Sequence, residues 1–302
     1  METGPVRLAA VLLSIAVLTG LVDYPAPRQP VTMGEYRVLA GDFHVHMFPL
    51  DAATLSPWDV VVEARRRGLD VIALTGHNHT WTAKVGRWFS QMTGGPMVLI
   101  GEEVITPPYD MIAVGLTSTV RWQRSAAATA AEIHRQGGVA IAAHPLRGYW
   151  PAYDEAMPVI DGAEVLHPMA FVAPEFAAEL REFFERRELT AVGSSDFHGT
   201  AYPGFSRTHV FVREVTEQAV LDALRTHQTV TVDREGRAYG NASLIRLAEA
   251  NGGLARSGIV ENGGMWSSLS RYAALAGMIV AVLFGLFRPH RHHRVDGRRT
   301  AG

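Results

Sequence analysis

Short apolar runs recur along the chain, and each opens into a polar cluster. Tyr36-Arg37-Val38-Leu39-Ala40-Gly41 leads into Asp42-Phe43-His44-Val45-His46, and Leu69 to Leu74 leads into Thr75-Gly76-His77-Asn78-His79. Met97 to Gly101 leads into Glu102 and Glu103, Val139 to Ala143 into His144, and Leu189 to Gly193 into Ser194-Ser195-Asp196-Phe197-His198. Runs this short, bounded by Gly, predict buried strands. Between them, Pro57 to Arg67, Ala126 to Gln136 and Pro174 to Arg187 have Pro or Ala at the start and an amphipathic period, and the first two stop at Gly, so they predict helices. Alternation of strand and helix implies a parallel β/α architecture, in which functional residues gather at the C-terminal strand ends. A further strand is expected over Thr208 to Arg213.

Two longer apolar runs have a different character. Leu8 to Val22 follows Arg7 and is either a signal sequence or a short spanning anchor. No small-x-small cleavage site precedes Tyr24-Pro25-Ala26-Pro27, which favours the anchor. Trp266 to Phe287 ends in an uncharged stretch, with Trp266 and Tyr272 suited to the interfacial belt, and is followed by Arg288, Arg291, Arg294, Arg298 and Arg299. Basic flanks stay cytoplasmic. The expected order is therefore an anchor or signal over 1–23, a Pro-rich linker over 24–35, a globular domain over 36–235, a Gly-rich linker over 236–265 with one short helix near Ala242 to Ala250, a transmembrane helix over 266–287 and a basic cytoplasmic tail over 288–302. The globular domain would lie outside the cell membrane and be held to its lipids by the terminal helices.

Composition narrows the chemistry. The 302 residues carry a formal net charge of −2, which provides no broad basic field for nucleic acid. There is no cysteine, so disulfides, Cys-ligated zinc and a cysteine nucleophile are excluded. On an extended strand, residues i and i+2 share a face, so His44 and His46 present two imidazoles side by side. A lone His-x-His is weak evidence for a metal. Ligand types at the same end of five strands are hard to explain as separate hydrogen-bonded histidines.

These residues resemble a known family. Asp42-x-His44-x-His46, Thr75-Gly76-His77-Asn78, Gly101-x-Glu103, Ala143-His144-Pro145 and Gly193-Ser194-Ser195-Asp196-Phe197-His198 are similar to the successive motifs of the polymerase and histidinol phosphatase (PHP) superfamily, from about Tyr36 to Asp233. Gly41-Asp42-Phe43-His44-Val45-His46 is most similar to the first motif of its carbaryl-hydrolase-like branch. The resemblance implies a distorted (β/α)7 barrel holding two or three divalent metals (Mn, Zn or Fe) at the C-terminal strand ends. It implies His44, His46 and Asp196 on the first metal, Glu103 bridging the first and second, His144 on the second, and His77, His198 and Asp51 on the third. Two departures stand out. Gly76 replaces the usual Asp of the second motif, and His79 is a candidate to compensate. Tyr109-Asp110 replaces a Gly-His pair, so Asp110 is either an oxygen ligand, which would favour Mn or Fe over Zn, or a strand cap.

The implied activity is hydrolysis by a hydroxide held between metals about 3.5–4 Å apart, suited to phosphoesters and equally to esters, carbamates or amides. A small-molecule phosphoester is the expected substrate. His79, Arg147 and Arg207, and more weakly His167, are candidates to protonate or grip the leaving group. Arg207 could also hold a phosphate or be a surface residue. Ser194 and Ser195 are expected to support Asp196. Glu102 should point away from Glu103. His134 is expected in solvent, and His209 and His227 to be structural. A metal-keeping module without turnover is the competing reading, motivated by Gly76 and Asp110. A nucleic-acid enzyme is disfavoured because no basic stripe with interleaved aromatics is present. The segments Trp81 to Gly95 and Arg147 to Pro158 are expected as loops walling the site, their aromatic residues facing the substrate, the barrel mouth or the membrane.

Overall fold

A computed structural model describes residues 3–22, 29–121, 125–199, 201–258 and 265–284. Pro25, Pro27, the pair Gly263-Gly264 and the expected tail over 288–302 lie outside the described residues. In chain order the elements are α1 (Thr3–Val22), β1 (Val31–Met33), β2 (Tyr36–Asp42), α2 (Pro57–Arg66), β3 (Val71–Leu74), α3 (Trp81–Thr93), β4 (Met97–Thr106), β5 (Tyr109–Val114), α4 (Ala126–Arg135), β6 (Val139–Ala142), α5 (Trp150–Asp154), β7 (Gly162–Leu166), α6 (Pro174–Glu185), β8 (Thr190–Gly193), β9 (Thr208–Val212), α7 (Glu217–Arg225), β10 (Thr229–Val232), β11 (Ala238–Gly240), α8 (Ala242–Ala250) and α9 (Met265–Leu283).

One sheet runs β11-β10-β9-β2-β3-β4-β5-β6-β7-β8, with β1 added beside β2. The β2-β3-β4 and β6-β7-β8 pairings are parallel, as the alternation of strands and helices predicts. The β4-β5 and β5-β6 pairings are antiparallel, because Pro107-Pro108 turns the chain straight back after β4. The path from β2 to β8 curls into a distorted, nearly closed barrel. At its C-terminal rim an isolated bridge joins Val45 to Phe197, bringing the end of β2 to the end of β8.

Below the rim the gap is closed by hydroxyls. Thr208 Oγ1 donates to Gly193 O and accepts from Gly193 N, both at 2.9 Å, and Thr229 Oγ1 donates to Ala191 O at 2.8 Å. Gly193 is required here, since a Cβ would lie 2.4 Å from Thr231 Oγ1. The other end of the barrel is plugged by α7, whose Val220, Leu221 and Leu224 join Leu39, Val71, Leu99, Ile141 and Val192 in one core.

The helices follow local chemistry. Ser56 caps α2 by accepting from Asp59 N, Pro57 opens the helix, and Thr216 caps α7 in the same way. Residues 238–250 form β11 and α8, with Leu244 and Ala248 packed against Met33, Phe211 and Val230. Trp81 to Thr93 is a helix, which corrects the expected loop. Its apolar residues Trp81, Val85, Trp88, Phe89 and Met92 follow the helical period. The Arg147 to Pro158 stretch holds α5 flanked by short 3₁₀ turns.

α1 and α9 pack against each other and on α2. Both are long and apolar enough to cross a membrane by length and composition. Their shared face carries Ala16, Ala273, Ala274 and Met278, while Val11, Ile15, Leu18, Ile279 and Val282 face outward.

Candidate metal centre

The strand ends bring together the residues that the motifs single out. Among the described residues, three groups have mutually close ligand atoms: His44, His46 and Asp196; His44, Glu103 and His144; and His46, His77 and His198. Backbone pairing puts them there. The Val45–Phe197 bridge sets His44 and His46 beside Asp196 and His198, and a second bridge sets His77 beside Glu103. His144 and Asp196 adopt φ of 24° and 42°, in the sparsely populated left-handed region. Such backbone strain concentrates at functional sites.

Glu103 lies at the middle. Its Oε2 is 3.4 Å from His44 Nε2, 3.4 Å from His46 Nε2 and 3.2 Å from His77 Nε2, while its Oε1 is 3.2 Å from His144 Nε2. One carboxylate oxygen therefore serves the first and third groups and the other serves the second. Asp196 Oδ1 is 3.3 Å from His44 Nε2, 3.1 Å from His46 Nε2 and 3.4 Å from His198 Nδ1.

The donor set fits a cation. His44 Nδ1 faces Glu164 Oε1 at 3.0 Å, which places the proton on Nδ1 and leaves Nε2 as an acceptor. That Nε2 is 2.9 Å from His46 Nε2, with Glu103 and Asp196 oxygens on either side. Asp196 Oδ1 is buried without a hydrogen-bond partner among the described residues. Nitrogen lone pairs and carboxylate oxygens converging on one point need positive charge between them, from a metal or from protons.

In the protonated alternative the charges are strongly coupled. Burial opposes protonation of His44, but the Glu103, Asp196 and Glu164 carboxylates outweigh it and hold its pKa well above the usual imidazole range. His144 is opposed by burial in the same way, and Glu103 raises it to about 9. Glu103 is held well below the usual carboxylate range; burial opposes this, and His44 and His144 overcome it.

Supporting residues orient this set. Glu164, fully buried on β7, accepts from His44 Nδ1 and from the His144 backbone N at 2.6 Å. His167 accepts from Met169 N at Nδ1, so its Nε2 carries the proton and donates to Asp196 Oδ2 at 3.1 Å. Asp42 accepts from the backbone N of His44, Ser195 and Gly204, tying the ends of β2 and β8 together. Burial raises its carboxyl to about 6 despite those bonds. Glu164 and Asp42 had no assigned role in the sequence reading. A lone carboxylate inside the apolar run Gly162-Ala163-Glu164-Val165-Leu166 was the available signal for Glu164.

Asp51 lies beside the third group. Its Oδ2 is 3.4 Å from His46 Nδ1 and its Oδ1 is 3.4 Å from His77 Nδ1. The departure at Gly76 has a physical counterpart. A Cβ at residue 76 would lie 2.4 Å from His79 Cε1 and 3.1 Å from Asp51 Oδ2. The His79 ring fills the space that a side chain at 76 would take, with Nε2 3.8 Å from Asp51 Oδ1 and its other face stacked on Trp81.

Several expected residues are not brought into the cluster. Asp110 accepts from Thr106 N at Oδ1 and from Tyr149 Oη at Oδ2, beside the cluster rather than in it. The Arg207 guanidinium is buried on the carbonyls of Gly204 and Arg67. Arg147 pairs with Glu182 on the surface. Glu102 points away from Glu103, accepts from Val120 N, and is pushed by burial up to about 8. His134 is exposed, as expected, and pairs with Asp161 at 2.8 Å. His209 is buried on β9, and His227 Nδ1 lies 3.2 Å from Thr190 Oγ1.

No protein-family model matches the chain. The fold is shared with a two-domain protein from Bacteroides vulgatus containing a predicted PHP-like metal-dependent phosphoesterase. That similarity has 22% identity, covers 74% of this chain and 73% of the other, and has a TM-score of 0.60. A lesion-specific endonuclease from Pyrococcus furiosus is 14% identical, covering 79% of this chain and 71% of its own, with a TM-score of 0.44. An uncharacterised protein from Methanocaldococcus jannaschii is 32% identical over 93 residues, 30% of this chain and 52% of the relative. The chain thus matches about half the length of that curated relative.

Proposed function

We propose that this chain is a metal-dependent hydrolase of the PHP superfamily acting on phosphoesters, held at the outer face of a cell membrane by α1 and α9. The observation that carries the reading is the convergence of His44 Nε2, His46 Nε2, Asp196 Oδ1 and Glu103 Oε2 on one point, with His144 on the other oxygen of Glu103. The Gly41 to His46 run supports a place in the carbaryl-hydrolase-like branch.

Bound divalent cations would lower the pKa of water towards neutrality and offset charge developing on the attacked centre. Two or three ions would fit: His44, His46 and Asp196 would hold the first, Glu103 would be shared between the first and second, His144 would hold the second, and His77, His198 and Asp51 the third. Glu164 keeps His44 in the tautomer that offers Nε2, and His167 keeps Asp196 Oδ1 free for the same centre. His79, partly buried beside Asp51, would be the candidate to give a proton to a leaving oxygen. The oxygen-rich neighbourhood of Asp51 and Asp196 suits Mn or Fe as well as Zn.

Hydrolysis of a chromogenic phosphomono- or diester by the full chain, dependent on added Mn or Zn, tests the reading. Activity that survives a chelator, or His44→Ala combined with His46→Ala, would contradict it. One observation favours a second reading, ester or amide hydrolysis or metal binding with little turnover: neither Arg147 nor Arg207 reaches the cluster to grip a phosphate. Full metal occupancy with turnover of carboxylic esters alone, or with none, would support it.

A further inference from the structure

We infer that the mouth of the metal centre opens onto the surface of the bilayer and takes a phosphoester carried by a membrane lipid; this rests on the hydrolase and membrane readings above.

The direction of α9 along the barrel provides the first argument. Ser267 Oγ donates to Glu63 Oε2, one turn further along, Ser270 Oγ reaches Asp59 Oδ1, and beyond that Ala273, Ala274 and Met278 cluster with Phe48. Asp59 lies in the first turn of α2, and Phe48 in the loop that joins His46 to α2. α9 therefore climbs the barrel wall towards the rim that carries the metal ligands. Residues 279–283 run on past it. α1 is antiparallel to α9: Gly20 lies beside Ser270, and Leu13 beside Gly277. Its first ten residues run on in the same direction, about 15 Å at 1.5 Å per residue.

Charge fixes the level of the hydrocarbon. The innermost charge on α9 is Arg271, paired with Glu63 at 3.0 Å, and Arg66 donates to Gly20 O. From Tyr272 to Leu283, and from Leu8 to Val22, no residue is charged. A span of about 30 Å takes about 20 residues, more than either run holds, so it draws on the whole of both. The boundary then falls near Asp59, and Phe48 and the rim loop, further along α9, lie in the interfacial layer on its bilayer side.

The protein surface at that level is apolar. Leu50, in the loop carrying Asp51, is 45% exposed, and Trp88 is 62% exposed. Trp58, Trp88 and Phe89 line a cleft of about 530 Å³ with Leu13, Ser14, Val17 and Leu18 of α1. Trp81, on the same face of α3 as Trp88, stacks on His79 at the metal centre. An apolar track thus leads from the site to the side of the spanning helix. Tryptophans at the water boundary and large apolar side chains beside a spanning helix match a bilayer lipid, with its headgroup at the metals and an acyl chain in the cleft.

Two measurements on the full chain in nanodiscs test this independently. The chain has no cysteine, so Leu50→Cys, Trp88→Cys and Arg135→Cys each take one spin label. The inference expects labels at 50 and 88 to be accessible to oxygen and shielded from an aqueous nickel complex, and the label at 135, on α4, to be open to nickel. Labels at 50 and 88 as open to nickel as that at 135 would overturn it. In the second measurement, Mn-loaded protein is given nitrophenyl phosphate or bis-nitrophenyl phosphate, and dioleoyl phosphatidic acid or phosphatidylglycerol in the nanodisc. The expected result is turnover of a lipid at least tenfold above the soluble esters, with the ratio falling at least tenfold in Trp88→Glu. Turnover of soluble esters with both lipids untouched would overturn the lipid assignment and leave the hydrolase reading standing. Silence on all four substrates with metals bound would overturn both.

Discussion

Two parts of the molecule bury carboxylates among polar partners, and they end in opposite states. In the seam between α2 and the terminal helices, Asp59 meets the hydroxyls of Ser56 and Ser270, and Glu63 meets Arg67, Arg271 and Ser267. Each carboxylate oxygen there has a donor with a proton to give, so the carboxylates need no further partner. At the strand ends, His44 and His46 point lone-pair nitrogens at each other across Glu103 and Asp196, and Asp196 Oδ1 has no hydrogen-bond partner among the described residues. Burial alone marks neither region as functional. The difference is whether the buried groups satisfy one another, since native structures leave few polar atoms unmatched and those few ask for a ligand or a proton.

The comparison breaks first at the metal centre. Replacing His44 and His46 together by Ala should lower metal-dependent turnover by about 1,000-fold, the scale of a lost transition-state charge stabiliser, and remove at least one bound metal; initial rates and metal content check both. Glu164→Gln keeps the shape but weakens the hold on the His44 tautomer, so metal affinity or turnover should fall about 10- to 100-fold, as for other groups that orient a ligand. Titration of the metal-free protein with Mn would measure it.

The seam should respond in stability rather than chemistry. Glu63→Ala leaves Arg67 and Arg271 without their carboxylate, and unfolding of the full chain in detergent should shift by about 1–3 kcal/mol. Nitrophenyl ester turnover should stay near that of the parent. A large loss of turnover would show that the two regions are not separate.

The smallest effect is expected at Glu102, the neighbour of Glu103 with the opposite environment. Burial pushes its carboxyl up to about 8 from 4.5. The folded value lies above the unfolded one, so its contribution to stability falls as pH rises from about 4.5 to 8 and is flat beyond. Glu102→Gln removes that decline. Its Tm should match the parent near pH 4.5 and exceed it at pH 8.5.

The strand ends were legible because each candidate ligand closely follows an apolar run. His44 and His46 share a face by strand geometry alone, Asp196 follows the end of β8, and Glu103 lies inside β4 just past the end of its pairing with β3. Glu164 was not legible in that way, because it lies inside a strand with no motif around it and its role appears only when β7 is set beside β2 and β6. The α3 helix was hidden by Gly86 and by Thr80, which makes no side-chain cap, although Trp81, Val85, Trp88, Phe89 and Met92 keep the helical period. Arg207 shows the limit of reading long side chains from sequence: its position follows the last ligand strand, but its guanidinium turns to Gly204 and Arg67 carbonyls. The two apolar ends were legible as candidate spans, and their polar seam with α2 was not, since nothing local links Ser270 to Asp59.

The account rests on a multinuclear metal centre at the barrel rim. The most direct measurement is metal content per chain by mass spectrometry, on full-length protein loaded with Mn, Zn or Fe and freed of loose ions. Two or three equivalents are expected for the parent, with fewer for Asp196→Asn and at most one for His44→Ala combined with His46→Ala. Less than one equivalent in the parent for every metal, or a content indifferent to those substitutions, would contradict it.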